Sequence, residues 1–80
     1  MQRMIREFED VLNEYGENQI KGINSAIDCI VGKYSVSEMN LICPYISKRI
    51  GIAEWIVRAD VMQRYKLMGK RFIIYNAAEL

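Results

Sequence analysis

The chain has 80 residues, 51% of them hydrophobic and 26% charged, with one Pro, no His and a net charge of +1. That composition fits one small globular domain burying roughly 60% of its unfolded surface. It excludes a low-complexity segment and a membrane span, which needs about 18 consecutive apolar residues. The N-terminus has no signal-peptide core, so a cytoplasmic protein is expected. Cys29 and Cys43 are too few for a disulfide framework, and with no His a zinc site is not expected.

Residues 2–14 form an amphipathic pattern. Met4, Ile5, Phe8, Val11 and Leu12 recur at helical spacing, with Arg6, Glu7, Glu9, Asp10 and Asn13 opposite, and Gly16 ends the helix. The stripe fits either the core or a homodimer seam. A second helix is predicted from about Asn18 to Gly32, with Ile20, Ile23, Ala26, Ile27, Ile30 and Val31 as its apolar line. Gly22 inside it costs about 1 kcal/mol against Ala, and admits a close neighbouring helix. Ser35-Val36-Ser37-Glu38 matches a capping box, so a short helix is predicted over Val36–Ile42. Pro44 suits the first position of a new helix, which divides this region at Cys43.

Residues Tyr45–Asp60 organise the chain. A helix from Pro44 to Ile50 meets a turn at Ile50-Gly51-Ile52, and a second helix starts at Ala53 and reaches Arg64 or Lys66. Gly51 suits a turn that needs positive φ, and Ile52 is expected in the angle between the helices. The second helix is apolar on two sides. Ala53, Val57 and Val61 form one line; Trp55, Ala59 and Met62 form another, roughly opposite. Periodicity alone leaves open which line faces the core. Lys66–Asn76 then reads as a β-hairpin, with a turn at Gly69-Lys70, strand character over Phe72–Tyr75 and a frayed tail over Ala77–Leu80.

The run Ile46–Val61 resembles the helix-turn-helix core of small bacterial and phage regulators. Gly69–Ile74 resembles the wing strand of excisionase-like and other winged helix-turn-helix proteins. Together they cover about 30 of the 80 residues. The resemblance implies a mostly α winged helix-turn-helix domain: leading helices over 1–43, the helix-turn-helix over 44–66 and a short C-terminal β-hairpin wing over 67–76. It also favours Val57 and Val61 as the buried line.

Charge divides along the chain. Residues 1–45 carry four cations and seven carboxylates; residues 46–75 carry seven cations and two. A basic C-terminal half suits a polyanion, although an ordinary solvated surface produces the same counts. The expected function is therefore a DNA-binding regulatory protein. Glu54 and Arg58, beside Trp55, face the base edges; Lys48, Arg49, Arg64 and Lys66 hold phosphates; Lys70 and Arg71 act from the wing. A chain this short covers few base pairs, so a dimer or a cooperative array is expected. The alternative is a phage or mobile-element factor that binds and inhibits a host protein on the same scaffold, centred on Trp55 with Met62. No catalytic constellation is present: no His, no phosphate-cradling Gly-rich loop and no nucleophile elbow, so no enzyme activity, cofactor or metal is expected.

Overall fold

The structure, a computed structural model, describes residues 1–79, with side chains described for residues 1–68. Four helices follow one another: α1 (Gln2–Tyr15), α2 (Gln19–Lys33), α3 (Val36–Ile50) and α4 (Glu54–Glu79). They form an all-α, bundle-like fold made of two hairpins, α1–α2 and α3–α4. No strand occurs among the described residues.

The helix ends follow local chemistry. Gly16 closes α1 at φ 54°, and Asn18 caps α2 by accepting from the Lys21 N–H at 3.4 Å. The Ser35–Glu38 capping box is formed: the Ser35 hydroxyl accepts from the Glu38 N–H at 3.2 Å, and the Glu38 carboxylate accepts from the Ser35 N–H at 3.1 Å. Gly51 closes α3 in the left-handed region at φ 74°, and its N–H donates to the Ser47 carbonyl at 2.9 Å. The Ser47 hydroxyl donates across the turn to the Ile52 carbonyl at 2.6 Å.

The core lies between the hairpins. Phe8 of α1, Ile30 of α2, and Met39, Ile42 and Ile46 of α3 are fully buried, and Val57 and Val61 complete it from α4. Phe8 meets Tyr45 edge to face, with centroids 6.3 Å apart. Gly22 permits the close packing of α1 on α2, because a Cβ there would stand 3.1 Å from the Tyr15 Cβ. Met4 and Phe8 are buried, and Ile5, Val11 and Leu12 pack against the same cluster. The α1 stripe therefore serves the core of its own chain instead of an open dimer seam.

Two expectations need correction. The break at Cys43 does not occur, because α3 runs unbroken with Pro44 inside it. Pro44 is exposed, so its ring meets solvent, while Met39, Ile42 and Ile46 lie on the buried side. Burying those three contributes about 5–9 kcal/mol, more than the roughly 3 kcal/mol that an interior Pro costs. The boundary expected between residues 43 and 44 thus falls within one helix.

The β-hairpin wing is also absent: α4 passes through Gly69-Lys70 and continues to Glu79. One interior Gly costs about 1 kcal/mol, and no Pro follows Pro44 to stop the helix. A lone two-stranded hairpin is marginal in water, so the local strand character of Phe72–Tyr75 yields to continuation of the long helix α4. Residues 77–79 belong to α4, and Leu80 lies outside the described residues.

Candidate interaction surface on α3 and α4

The α3–Gly51–α4 elbow fixes the orientation of α4. Val57 and Val61, each 3% exposed, point into the core. Positions near 180° from them on a 100°-per-residue helix are Trp55, Ala59 and Met62, the second apolar line. Trp55 is 73% exposed; Met62, Ile52 and Ile56 are exposed beside it, and Ala59 lies exposed between Trp55 and Met62. Ile52 therefore does not fill the angle between the helices. It lies at the surface, and with Ile56 it flanks the apolar line of α4 on the side that faces α2.

The sequence-predicted polar contacts are distributed over this surface, and several are engaged within the chain. Arg58 and Glu54 form an i, i+4 pair at 3.4 Å, and Arg58 also donates to the Asn40 side chain of α3 at 2.8 Å. Among the described side chains Arg64 is the most constrained cation: it donates to Asp60 at 2.8 Å, to Asp28 at 2.6 Å and to the Asn24 side chain at 2.8 Å, with only 17% of its side chain exposed. Partial burial disfavours the Arg64 charge, but hydrogen bonds and the charges of Asp60 and Asp28 outweigh it and hold its pKa above the usual value. Arg49 donates to both carboxylate oxygens of Glu9, at 3.0 and 2.9 Å. Lys48 and Lys66 are exposed. The side chains of Lys70 and Arg71 lie outside the described residues.

The two charged halves of the sequence thus partly neutralise each other in space. Arg49 of the basic half meets Glu9, and Arg64 meets Asp28, both from the acidic half. A second cluster links α1 to the α2–α3 junction. The Tyr34 hydroxyl donates to the Glu7 carboxylate at 3.1 Å, with the Lys33 ammonium at 3.3 Å and Arg3 at 3.5 Å. Partial desolvation raises the Glu7 pKa, but the Lys33 and Tyr34 hydrogen bonds and the Lys33 and Arg3 charges prevail and hold it below the ordinary range.

Sequence reasoning identified Trp55, Ala59 and Met62 as a line, but missed Ile52 and Ile56 beside it, and Leu41 of α3, which is 63% exposed. The signal was available for α4, since Ile52, Ile56 and Ala59 keep the i, i+4, i+7 spacing of one face. No sequence signal marks Asn40 as the partner of Arg58.

Among the described residues no cluster of three or more potential metal ligands occurs, and no helix is long and apolar enough to cross a membrane. Comparison with protein-family models, with curated proteins and with solved structures gives no match.

Proposed function

We propose that this chain is a small cytoplasmic docking protein that binds an apolar segment of a partner protein through the exposed face of α4. One observation carries the reading: Trp55, Ala59 and Met62 form an exposed apolar line on the side of α4 away from its core face, flanked by exposed Ile52 and Ile56. Contiguous apolar surface on a small monomer marks a contact site, and an exposed Trp flanked by Met and Ile is the composition of an interface centre. Base edges and phosphates offer such a strip little. The nearby cations also favour a protein partner, because Arg58 and Arg64 already hold carboxylates of the same chain. Inhibition of a host protein, the role expected of a phage factor with this scaffold, is one use of such a surface.

A second reading keeps the DNA-binding role. It rests on the Gly51 elbow, which turns α3 into α4 with Val57 and Val61 inward and leaves Glu54, Trp55 and Arg58 at the surface, as a helix-turn-helix would. Lys48 and Lys66 supply exposed cations for phosphates.

Salt dependence separates the two. Retention of a protein partner that resists raised salt and is lost in Trp55→Ser supports docking. An electrophoretic shift of duplex DNA that weakens steeply with salt and needs Arg58, with no Trp55-dependent protein partner, overturns it in favour of the DNA reading.

A further inference from the structure

The outer line of α4 has a spacing that reads the same in both directions. Trp55, Ala59, Met62 and Lys66 are separated by four, three and four residues. At about 100° per residue they keep to one narrow stripe, opposite Val57 and Val61. All four are exposed, Trp55 the most. Steps of four and three alternate in this way along the seam of a coiled coil, where a facing helix covers each side chain.

The line is its own complement under a two-fold rotation. An axis at the level between Ala59 and Met62 runs a second α4 antiparallel to the first. Ala59 then faces Met62 of the other copy, a small side chain against a long one, in two equivalent layers. Trp55 faces Lys66 of the other copy, whose aliphatic stem and ammonium suit the face of an indole. A parallel pairing puts Lys66 on Lys66, which like charge opposes. In the antiparallel pairing the two Lys66 residues stand about 16 Å apart along the helix axis.

We propose that a second copy of this chain is a partner of the α4 face, paired antiparallel through Trp55, Ala59, Met62 and Lys66. The inference rests on the reading of that face as a docking surface, and it names one occupant. The contact is confined to residues 55–66 and draws nothing from the remainder of α4. The symmetry closes the assembly at a dimer. One helix pair of this length covers less than the roughly 800 Å² per partner of a standard interface, so the dimer is reversible and its face opens on dilution. The charges around each Trp55 are Glu54, Arg58 and Lys48 of its own copy and Lys66 of the other. They sum to a positive excess, which also keeps the pairing weak. Raised salt screens that excess, so association strengthens with salt, the sign opposite to phosphate binding.

Sedimentation equilibrium of the full chain, followed in parallel by Trp55 emission, tests this, with circular dichroism to verify the fold of each variant. The apparent mass is expected to rise with concentration from 9.4 kDa toward twice that value. The emission is expected to move to the blue along the same curve, as the only Trp becomes covered. Met62→Glu is expected to weaken association by about tenfold or more, because the two copies of residue 62 lie only about 4.5 Å apart along the axis and place like charges together. Met62→Lys is expected to do the same, and an equal mixture of the two variants is expected to recover association as a heterodimer. A parent that stays monomeric up to about 1 mM, the weak end of specific association, overturns the self-pairing. So does a dimer that persists in both Trp55→Ser and Met62→Glu, or a mixture of the two charged variants that stays monomeric. A monomeric parent that still retains a protein partner through Trp55 overturns the self-pairing alone and leaves the docking reading intact. A parent dimer that responds to the variants as expected, with no other Trp55-dependent partner, supports the self-pairing and removes the docking of another protein.

Discussion

Arg64 of α4 donates to Asp28 of α2 at 2.6 Å, across 36 residues of sequence. The bond crosses the seam between the hairpins and is reinforced by Asp60 and Asn24. Arg64→Ala should therefore destabilise the fold by about 1–2 kcal/mol, within the range for hydrogen bonds to charged groups after allowing for the exposure of Asp28. Urea unfolding provides the measure. A change below a few tenths would mean that the seam is held by apolar contacts alone.

Gly51 has φ 74° and ends α3. Gly51→Val should lower stability by at least about 1–2 kcal/mol, since a β-branched residue is poorly accommodated in the left-handed region. Thermal melting of the purified variant is the check, and an unchanged Tm would contradict the elbow geometry.

Gly32 is the contrasting case. It lies inside α2 without positive φ, and a Cβ added there meets nothing within 4 Å. Gly32→Ala should stabilise by about 0.5–1 kcal/mol through helix propensity and a less flexible unfolded chain. Denaturant titration at fixed protein concentration reads the shift in midpoint.

Glu7 sets an acid limit. Its folded pKa is held below the ordinary 4.5. A group depressed on folding contributes stability that is complete above its unfolded value and lost as pH falls through the folded value. Stability should therefore hold from neutrality to about pH 5, then decline as the Tyr34, Lys33 and Arg3 contacts lose their anion. Glu7→Gln should be less stable at neutral pH and flatter through the acid window. Parallel pH profiles for the two proteins would remove Glu7 from this role.

Trp55 is the only Trp and is 73% exposed. Trp55→Ser should leave stability within about 0.5 kcal/mol, as surface substitutions do. The parent should emit at the wavelength of a hydrated indole. A blue-shifted emission in the dilute parent would show the ring already covered.

Much of the helical framework is legible in the sequence because its signals are local. Gly16, the Ser35–Glu38 box and Gly51 act through the backbone within one turn, and each has the predicted role. The buried line of α4 follows the pattern of Val57 and Val61. Pro44 and residues 66–76 mislead for a common reason: their local preferences are outweighed, at Pro44 by burial of Met39, Ile42 and Ile46, and at Gly69 by continuation of a long helix. The candidate surface was legible in its apolar part, through the spacing of Trp55, Ala59 and Met62. Its electrostatics were not, because the pairing of Arg49 with Glu9 and Arg64 with Asp28 depends on how the hairpins meet.

The division into two hairpins also bears on how quickly the chain folds. Most partners within α1–α2 and α3–α4 are near one another in sequence, and the connecting segments are only a few residues long. Such a topology has low contact order, and helical domains of this kind fold in microseconds to milliseconds. Hairpin formation should come before docking across the seam, so truncating Val57 should mainly slow folding if the α3–α4 hairpin is the nucleus, whereas removing Asp28 should mainly speed unfolding. A chevron measured for each variant would assign the order, with the hairpin local in origin and the seam closing last.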